Sequence, residues 1–217
     1  LYTVCVCTKQ QHPLLNGLQA IINNTLIMPT EKKLFLLDAY ALIFRGYYAF
    51  IKNPRINSKG MDTSAILGFM NSLLDVIKRE RPDYLAVCFD KGGSDLRNDI
   101  FPQYKAHRDE TPEAIRIAVP FIQDILNAMH IPVVVKAGFE ADDIIGTLAK
   151  KAEAQGFDTY MVTPDKDFAQ LVSDHIFMYR PVFGGGYETW GIPEVQAKFE
   201  VDTPEQVIDF LGMMGDS

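Results

Sequence analysis

Short apolar runs alternating with segments of helical period leave a chain few folds to choose from, and this chain is written that way from Lys32 onward. Runs at 34–37, 84–89, 131–135, 159–162 and 176–179 are short apolar segments of strand length. Between them, Ile66, Phe69, Met70, Leu73, Leu74 and Ile77 recur at helical spacing, and Ile115, Ala118, Ile122, Ile125, Leu126 and Met129 repeat the pattern. Each set makes one apolar stripe on one helix face. A third helix is expected over 141–155, with Ile144, Ile145, Leu148 and Ala149 inward and Gly156 as a left-handed cap. Strands separated by helices of this length predict an α/β domain, a mostly parallel sheet flanked by helices. Residues 91–111 are the least apolar stretch and are expected to leave the sheet as an exposed excursion. Residues 181–187, with three consecutive glycines, read as a second loop.

In an open parallel sheet, ligands bind beyond the carboxyl ends of the strands. Each of the first four runs reaches acid there: Asp38, Asp90, the group Glu140, Asp142 and Asp143, and the pair Asp165 and Asp167. A further acid, Asp216, lies near the last residue. One aspartate after a strand is equally well explained as a helix N-cap, and acids in a first helical turn complement the helix dipole. Four strand ends carrying acid together is a stronger signal, because like charges at that density need a compensating cation. Carboxylate oxygens with no Cys or His among them select Mg²⁺ or Mn²⁺ over zinc. His107, His130 and His175 show no ligand spacing.

Basic residues stand beside this set: Arg97, then Tyr104, Lys105 and Arg108, and Arg45 on the helix expected to start near Ala39. Lysine and arginine can hold a phosphodiester and tyrosine can stack on a base. Without the acids, a solvated helix face would be the better reading of the same cluster. Taken as a bare sum, the whole-chain charge opposes a phosphate partner, since 21 Lys and Arg against 28 Asp and Glu give −7. Setting aside the eight rim acids leaves 28 − 8 = 20 against 21, so the excess acid belongs to the proposed site.

The remaining features are bounds. Cys5 and Cys7 are too close to staple anything and Cys88 lies in an apolar run, which points to a reducing, cytoplasmic setting. No run of about 20 apolar residues is present, so no membrane span is expected. Residues 1–27 carry no sustained period and precede Met28-Pro29-Thr30, an ordinary-looking start. They are expected to be an unstructured or non-native upstream extension of a domain covering 28–217.

The motifs now assembled are Leu36-Leu37-Asp38-Ala39-Tyr40 with Arg45, Phe89-Asp90, Arg97, Tyr104-Lys105-x-x-Arg108, and Gly138-Phe139-Glu140-Ala141-Asp142-Asp143-Ile144-Ile145-Gly146-Thr147. Thr163-Pro164-Asp165-Lys166-Asp167 with Gln170-Leu171-Val172, and Gly212-Met213-Met214-Gly215-Asp216-Ser217, complete the series. In order and spacing they resemble the 5′-nuclease domain at the amino end of bacterial DNA polymerase I, a member of the flap endonuclease family. The resemblance implies a PIN-like α/β fold with a helical arch, formed by 91–111 and the helix after Pro112, over a bowl of carboxylates. It implies two Mg²⁺ ions, with Mn²⁺ as a substitute. Asp38, Asp90, Glu140 and Asp142 would surround the first, and Asp143, Asp165, Asp167 and Asp216 the second. Arg45, Arg97, Lys105 and Arg108 would contact substrate phosphates as the catalytic basic set, with Lys105 aimed at the phosphate being cleaved, and Tyr104 would join them in binding DNA.

The implied activity is 5′-3′ exonuclease and flap endonuclease cleavage of DNA with a 5′ flap or 5′ end, in primer removal and repair, RNA-primed ends being an open case. Polymerase domains would follow in the same chain, and the protein would act as a monomer. Family members continue past the Gly-Asp-Ser motif into a further aspartate and a helix-hairpin-helix element that grips DNA. The domain is therefore expected to be truncated before that element. A stand-alone 5′-nuclease or a PIN-type ribonuclease shares the chemistry and stays open. A non-catalytic nucleic-acid-binding module is disfavoured, because an idle rim of like charges costs stability. A phosphotransfer receiver needs fewer acids and no basic cluster.

Overall fold

The computed structural model describes residues 32–91, 94–101, 103, 104, 110–182 and 184–215. The expected extension at 1–27 and the residues Lys105, Arg108 and Asp216 lie outside the described residues. Six strands form one sheet: β1 (Lys32–Asp38), β2 (Tyr84–Phe89), β3 (Val133–Val135), β4 (Phe157–Val162), β5 (Ile176–Pro181) and β6 (Tyr187–Trp190). Their order is β3-β2-β1-β4-β5-β6. All pairings are parallel except the last, where β6 runs antiparallel to β5. Helices α1 (Ala39–Ala49), α2 (Ser64–Glu80), α3 (Asp95–Ile100), α4 (Glu113–Ala128), α5 (Ala141–Glu153), α6 (Ile192–Phe199) and α7 (Val207–Met214) connect and cover the strands.

Alternation along β1 explains the two cores. Phe35 and Leu37 face one side with Leu42, Ile43, Phe69, Leu73, Ile115 and Ile122, while Leu36 faces the other with Ile145, Ala149, Met161 and Phe168. Successive side chains of a strand point to opposite faces, so a sheet apolar on both faces must be covered on both. Cys88 is buried in the second core, and desolvation pushes its thiol up to about 12, which leaves it an inert packing residue.

The loop expected at 181–187 is the turn of the β5–β6 hairpin. Gly184, Gly185 and Gly186 all take positive φ there, and the Val182 N–H donates to the Gly186 carbonyl at 3.1 Å. Within the expected excursion, residues 95–100 form α3, capped by the Ser94 hydroxyl, which accepts from the Arg97 amide at 3.3 Å. The third strand is shorter than its apolar run, and no helix among the described residues is long and apolar enough to cross a membrane.

Helices α1 and α2 meet on the first core through Gly46 and Gly68. A Cβ placed on Gly68 would stand 2.3 Å from the Gly46 Cα, and one on Gly46 would stand 2.8 Å from the Gly68 Cα. The backbones therefore touch, and the approach requires hydrogen on both. This contact seats α1, which begins at the acid ending β1.

Candidate active site

Strand order decides where a site can form. Connections from β1 through β2 to β3 move one way across the sheet, and β4 then returns to the other side of β1. The crevice at such a reversal, between the carboxyl ends of β1 and β4, is the natural ligand position. Asp38 ends β1, and Thr163 follows β4 directly. The Thr163 hydroxyl donates to Asp38 Oδ2 at 3.0 Å across the crevice, and both side chains are buried. Asp38 Oδ1 accepts from the Ala41 amide at 3.2 Å, so this residue caps α1 as well.

The other acids arrive from neighbouring turns. Asp90, just past β2, accepts the Ala141 amide at 2.5 Å and thereby fastens the start of α5 to the end of β2. Glu140 is the N-cap of α5 and only 3% exposed, and its amide donates to Asp143 at 3.0 Å. Asp165 caps the 3₁₀ turn Lys166–Leu171 by accepting the Asp167 amide at 3.0 Å, and Thr163 Oγ1 accepts the Asp165 amide at 3.2 Å. The capping explanation is thus realised at Asp38, Glu140 and Asp165, and it coexists with their gathering at one rim.

The electrostatic effect falls on Asp38. Burial pushes the Asp38 carboxyl up from an ordinary 3.8 to about 7, with the charges of Asp142 and Asp90 adding to the rise against the Ala41 and Thr163 hydrogen bonds. The charges of Asp142 and Asp90, from two other connections, therefore reach Asp38, and crowding of that kind is what a hard divalent cation relieves. The donor set is all oxygen, so the residues fit Mg²⁺ or Mn²⁺. Among the described residues, no three acidic, His or Cys side chains are drawn in to ligand distance of a common point. Their charge is instead met locally.

A folded-state value above the unfolded one means that Asp38 contributes stability below 3.8 that is lost as pH rises toward 7. Metal-free protein should lose on the order of 4 kcal/mol from this site across that window. Asp38→Asn keeps a good N-cap and should flatten the slope of Tm against pH between those values. An unchanged slope would show that Asp38 is not the desolvated acid.

Arg97 supplies much of the local countercharge. Its guanidinium forks onto Asp143 with two hydrogen bonds of 2.8 Å and reaches Glu140 at 3.3 Å. Tyr104 donates to the same Glu140 oxygen at 3.1 Å, and the guanidinium lies 5.8 Å from the Tyr104 ring centre. Arg97 and Tyr104 line a cavity of about 380 Å³ with Asp142, Asp143, Asp167 and Gln170. The sequence grouping of these residues is matched in space, with Arg97 engaged by acids in this state.

Arg45 lies elsewhere on the carboxyl edge. Its Nη2 donates to the Val182 carbonyl at 2.9 Å, just past β5, and it lines a second cavity of about 390 Å³ with Lys78, Gly185 and Gly186. It does not line the acidic cavity. Lys105, Arg108 and Asp216 lie outside the described residues. Sequence reasoning gave no role to Thr163, the buried hydroxyl that joins the ends of β1 and β4. Its signal was its place directly after a strand and two residues before an acid.

Comparison with known proteins supplies the family and the fold. The family model described as 5′-3′ exonuclease, N-terminal resolvase-like domain matches residues 33–200. The chain is 37% identical over 185 residues to a 5′-3′ exonuclease of Aquifex aeolicus, covering 85% of this chain and 62% of that protein. It is 39% identical over 190 residues to DNA polymerase I of Treponema pallidum, covering 88% of this chain and 19% of that one. It thus spans under two thirds of the first and about a fifth of the second. Among solved structures, T5 D15 protein co-crystallised with metal ions superposes with a TM-score of 0.66 at 21% identity, over 85% of this chain and 67% of that one. The catalytic core of Rad2 in complex with DNA substrate superposes at 0.52 and 17%, over 86% and 55%. Those likenesses bear out the flap-endonuclease-type fold. The family match runs from the second residue of β1 to just past α6, across every described element that builds the acidic crevice, and this chain belongs to the 5′-3′ exonuclease N-terminal, resolvase-like domain family.

Proposed function

We propose that this chain carries the nuclease site of a metal-dependent 5′-3′ exonuclease and flap endonuclease acting on DNA in the cytoplasm, as the amino-terminal part of a DNA polymerase I, in primer removal and repair. The carrying observation is Asp38 at the β1–β4 crevice, its carboxyl pushed up by burial and by the charges of Asp142 and of Asp90 past neighbouring β2. Asp38, Asp90, Glu140 and Asp142 would hold one Mg²⁺ or Mn²⁺, and Asp143, Asp165, Asp167 and Asp216 a second. A bound divalent ion there supplies an activated water and a Lewis acid for phosphodiester hydrolysis.

The chain's own residues do the rest. The Arg97 fork and the Tyr104 hydroxyl face the cavity that a scissile phosphate would enter, and Arg97 can exchange a carboxylate for a phosphate without changing its bidentate geometry. Lys105 and Arg108, from the same segment, would meet developing charge on that phosphate. Arg45, past β5, would hold phosphates farther along the DNA. The Aquifex relative favours a second reading, a stand-alone 5′-nuclease with the same chemistry and no polymerase attached.

A duplex with a labelled 5′ flap, incubated with this chain and with a version extended past Ser217, tests the reading. Cleavage near the junction is expected with Mg²⁺ or Mn²⁺ and none with EDTA, faster in the extended version. Cleavage that persists in EDTA, or no cleavage with either ion in either version, would overturn it.

A further inference from the structure

Beside the acidic cavity lies a further hollow, distinct from the one Arg45 lines, and it shares Asp143 with the acidic cavity. It encloses about 290 Å³ and is mainly apolar, lined by Phe139, Ile144 and Leu148 with Lys136 and Lys151. Phe139 is 46% exposed, and the reason is in the backbone. The Phe139 amide donates to the Lys136 carbonyl at 3.3 Å, and Gly138 between them has φ +79°. This is the third position of a turn that glycine alone takes without strain. Packing would draw a phenyl ring inward, whereas this turn holds it at the surface between β3 and α5.

The charges around the ring are unspent. Neither Lys136 nor Lys151 forms an ion pair with a described residue. Asp143, the one acid of the hollow, is held by the Arg97 fork. An exposed ring with an apolar floor and two uncompensated cations matches one kind of ligand closely. Every nucleobase has a π-face to stack and a phosphate on either side to neutralise, and both contacts are independent of sequence. A neutral peptide or lipid would use the floor but not the pair of cations, whereas a nucleotide uses both.

Resting on the nuclease reading, we propose that this hollow takes a nucleotide of the single strand as it leaves the acidic cavity, its base on Phe139 and its phosphates at Lys136 and Lys151. The cleaved strand would then be gripped on the far side of Asp143 by contacts that a flapless duplex cannot make.

The test measures Kd by fluorescence anisotropy for a labelled dT oligomer, a 5′-flapped duplex and the same duplex without its flap. Phe139→Ala should weaken the oligomer and the flapped duplex on the order of tenfold. It should leave the flapless duplex unchanged, and Phe139→Tyr should restore the loss. The double variant Lys136→Ala, Lys151→Ala should reduce the salt slope of log K for the oligomer by about 1.4. A flapped-duplex Kd in Phe139→Ala equal to wild type overturns the proposal, as does equal weakening of flapped and flapless duplexes, or a wild type that does not bind the oligomer. These outcomes are separable from the nuclease reading, because metal-dependent flap cleavage by wild type upholds that reading whatever the Phe139 variants do.

Discussion

Asp142→Asn should reduce metal-dependent cleavage of a flapped duplex by on the order of a thousandfold while leaving the Kd for that DNA within about threefold. Asp142 lines the acidic cavity and its charge bears on buried Asp38, so it stands where the ion would be held. Asparagine keeps the size and removes one charge, which separates a loss of metal function from a loss of shape. As a first-turn acid of α5, Asp142 also complements the helix dipole, a contribution of about 0.3 to 1 kcal/mol. Removing the charge also relieves its repulsion of Asp38, so the two effects oppose and Tm should move by no more than roughly 4 °C for a domain of this size. Single-turnover cleavage and anisotropy on one preparation settle the matter. A variant that loses binding and cleavage in equal measure would place Asp142 in the DNA contact or in folding.

The second large effect concerns packing. Gly68→Ala should cost about 3 kcal/mol or more, because the new methyl would meet the α1 backbone at Gly46 rather than a side chain able to turn away. At roughly 2 to 4 °C per kcal/mol, Tm should fall by about 6 to 12 °C. Gly212→Ala is the matched control. Gly212 is also helical, but a methyl added there would find nothing within 4 Å, so the substitution should be neutral or stabilise by up to about 1 kcal/mol. Equal thermal melts for the two variants would mean that α1 and α2 do not meet through Gly46 and Gly68. Since α1 starts at Asp38 and carries Arg45, a displaced α1 should also lower activity in Gly68→Ala protein at temperatures where it is still folded.

What was legible in the sequence was whatever has a local signal. The apolar runs at 84–89 and 159–162 and the 3.6-residue stripes through Phe69 and Ile122 announced β2, β4, α2 and α4, because both signals lie in neighbouring residues. The β6 strand escaped notice for the same reason. Tyr187 to Trp190 is four residues long behind three glycines, and only pairing with β5 makes it a strand. The run at 131–135 was read too long, because Pro132 has no amide to donate and contributes only its carbonyl, to the Val87 amide.

The same division holds at the site. Which strand ends carry acid is written in the sequence, since each acid directly follows its own strand or opens the next helix. That Asp38 faces Thr163, 125 positions away, and that Arg97 reaches Asp143 across 46, was decided by the sheet order that returns β4 to the side of β1. Tertiary structure likewise sent Arg45 past β5 and left Phe139 exposed beside Asp143. The sequence by itself determined the inventory of charge and the rim on which it falls, because those depend on neighbours along the chain. Only the fold decided which carboxylate is buried, which is already paired and which cavity each cation lines, because desolvation and pairing depend on neighbours in space.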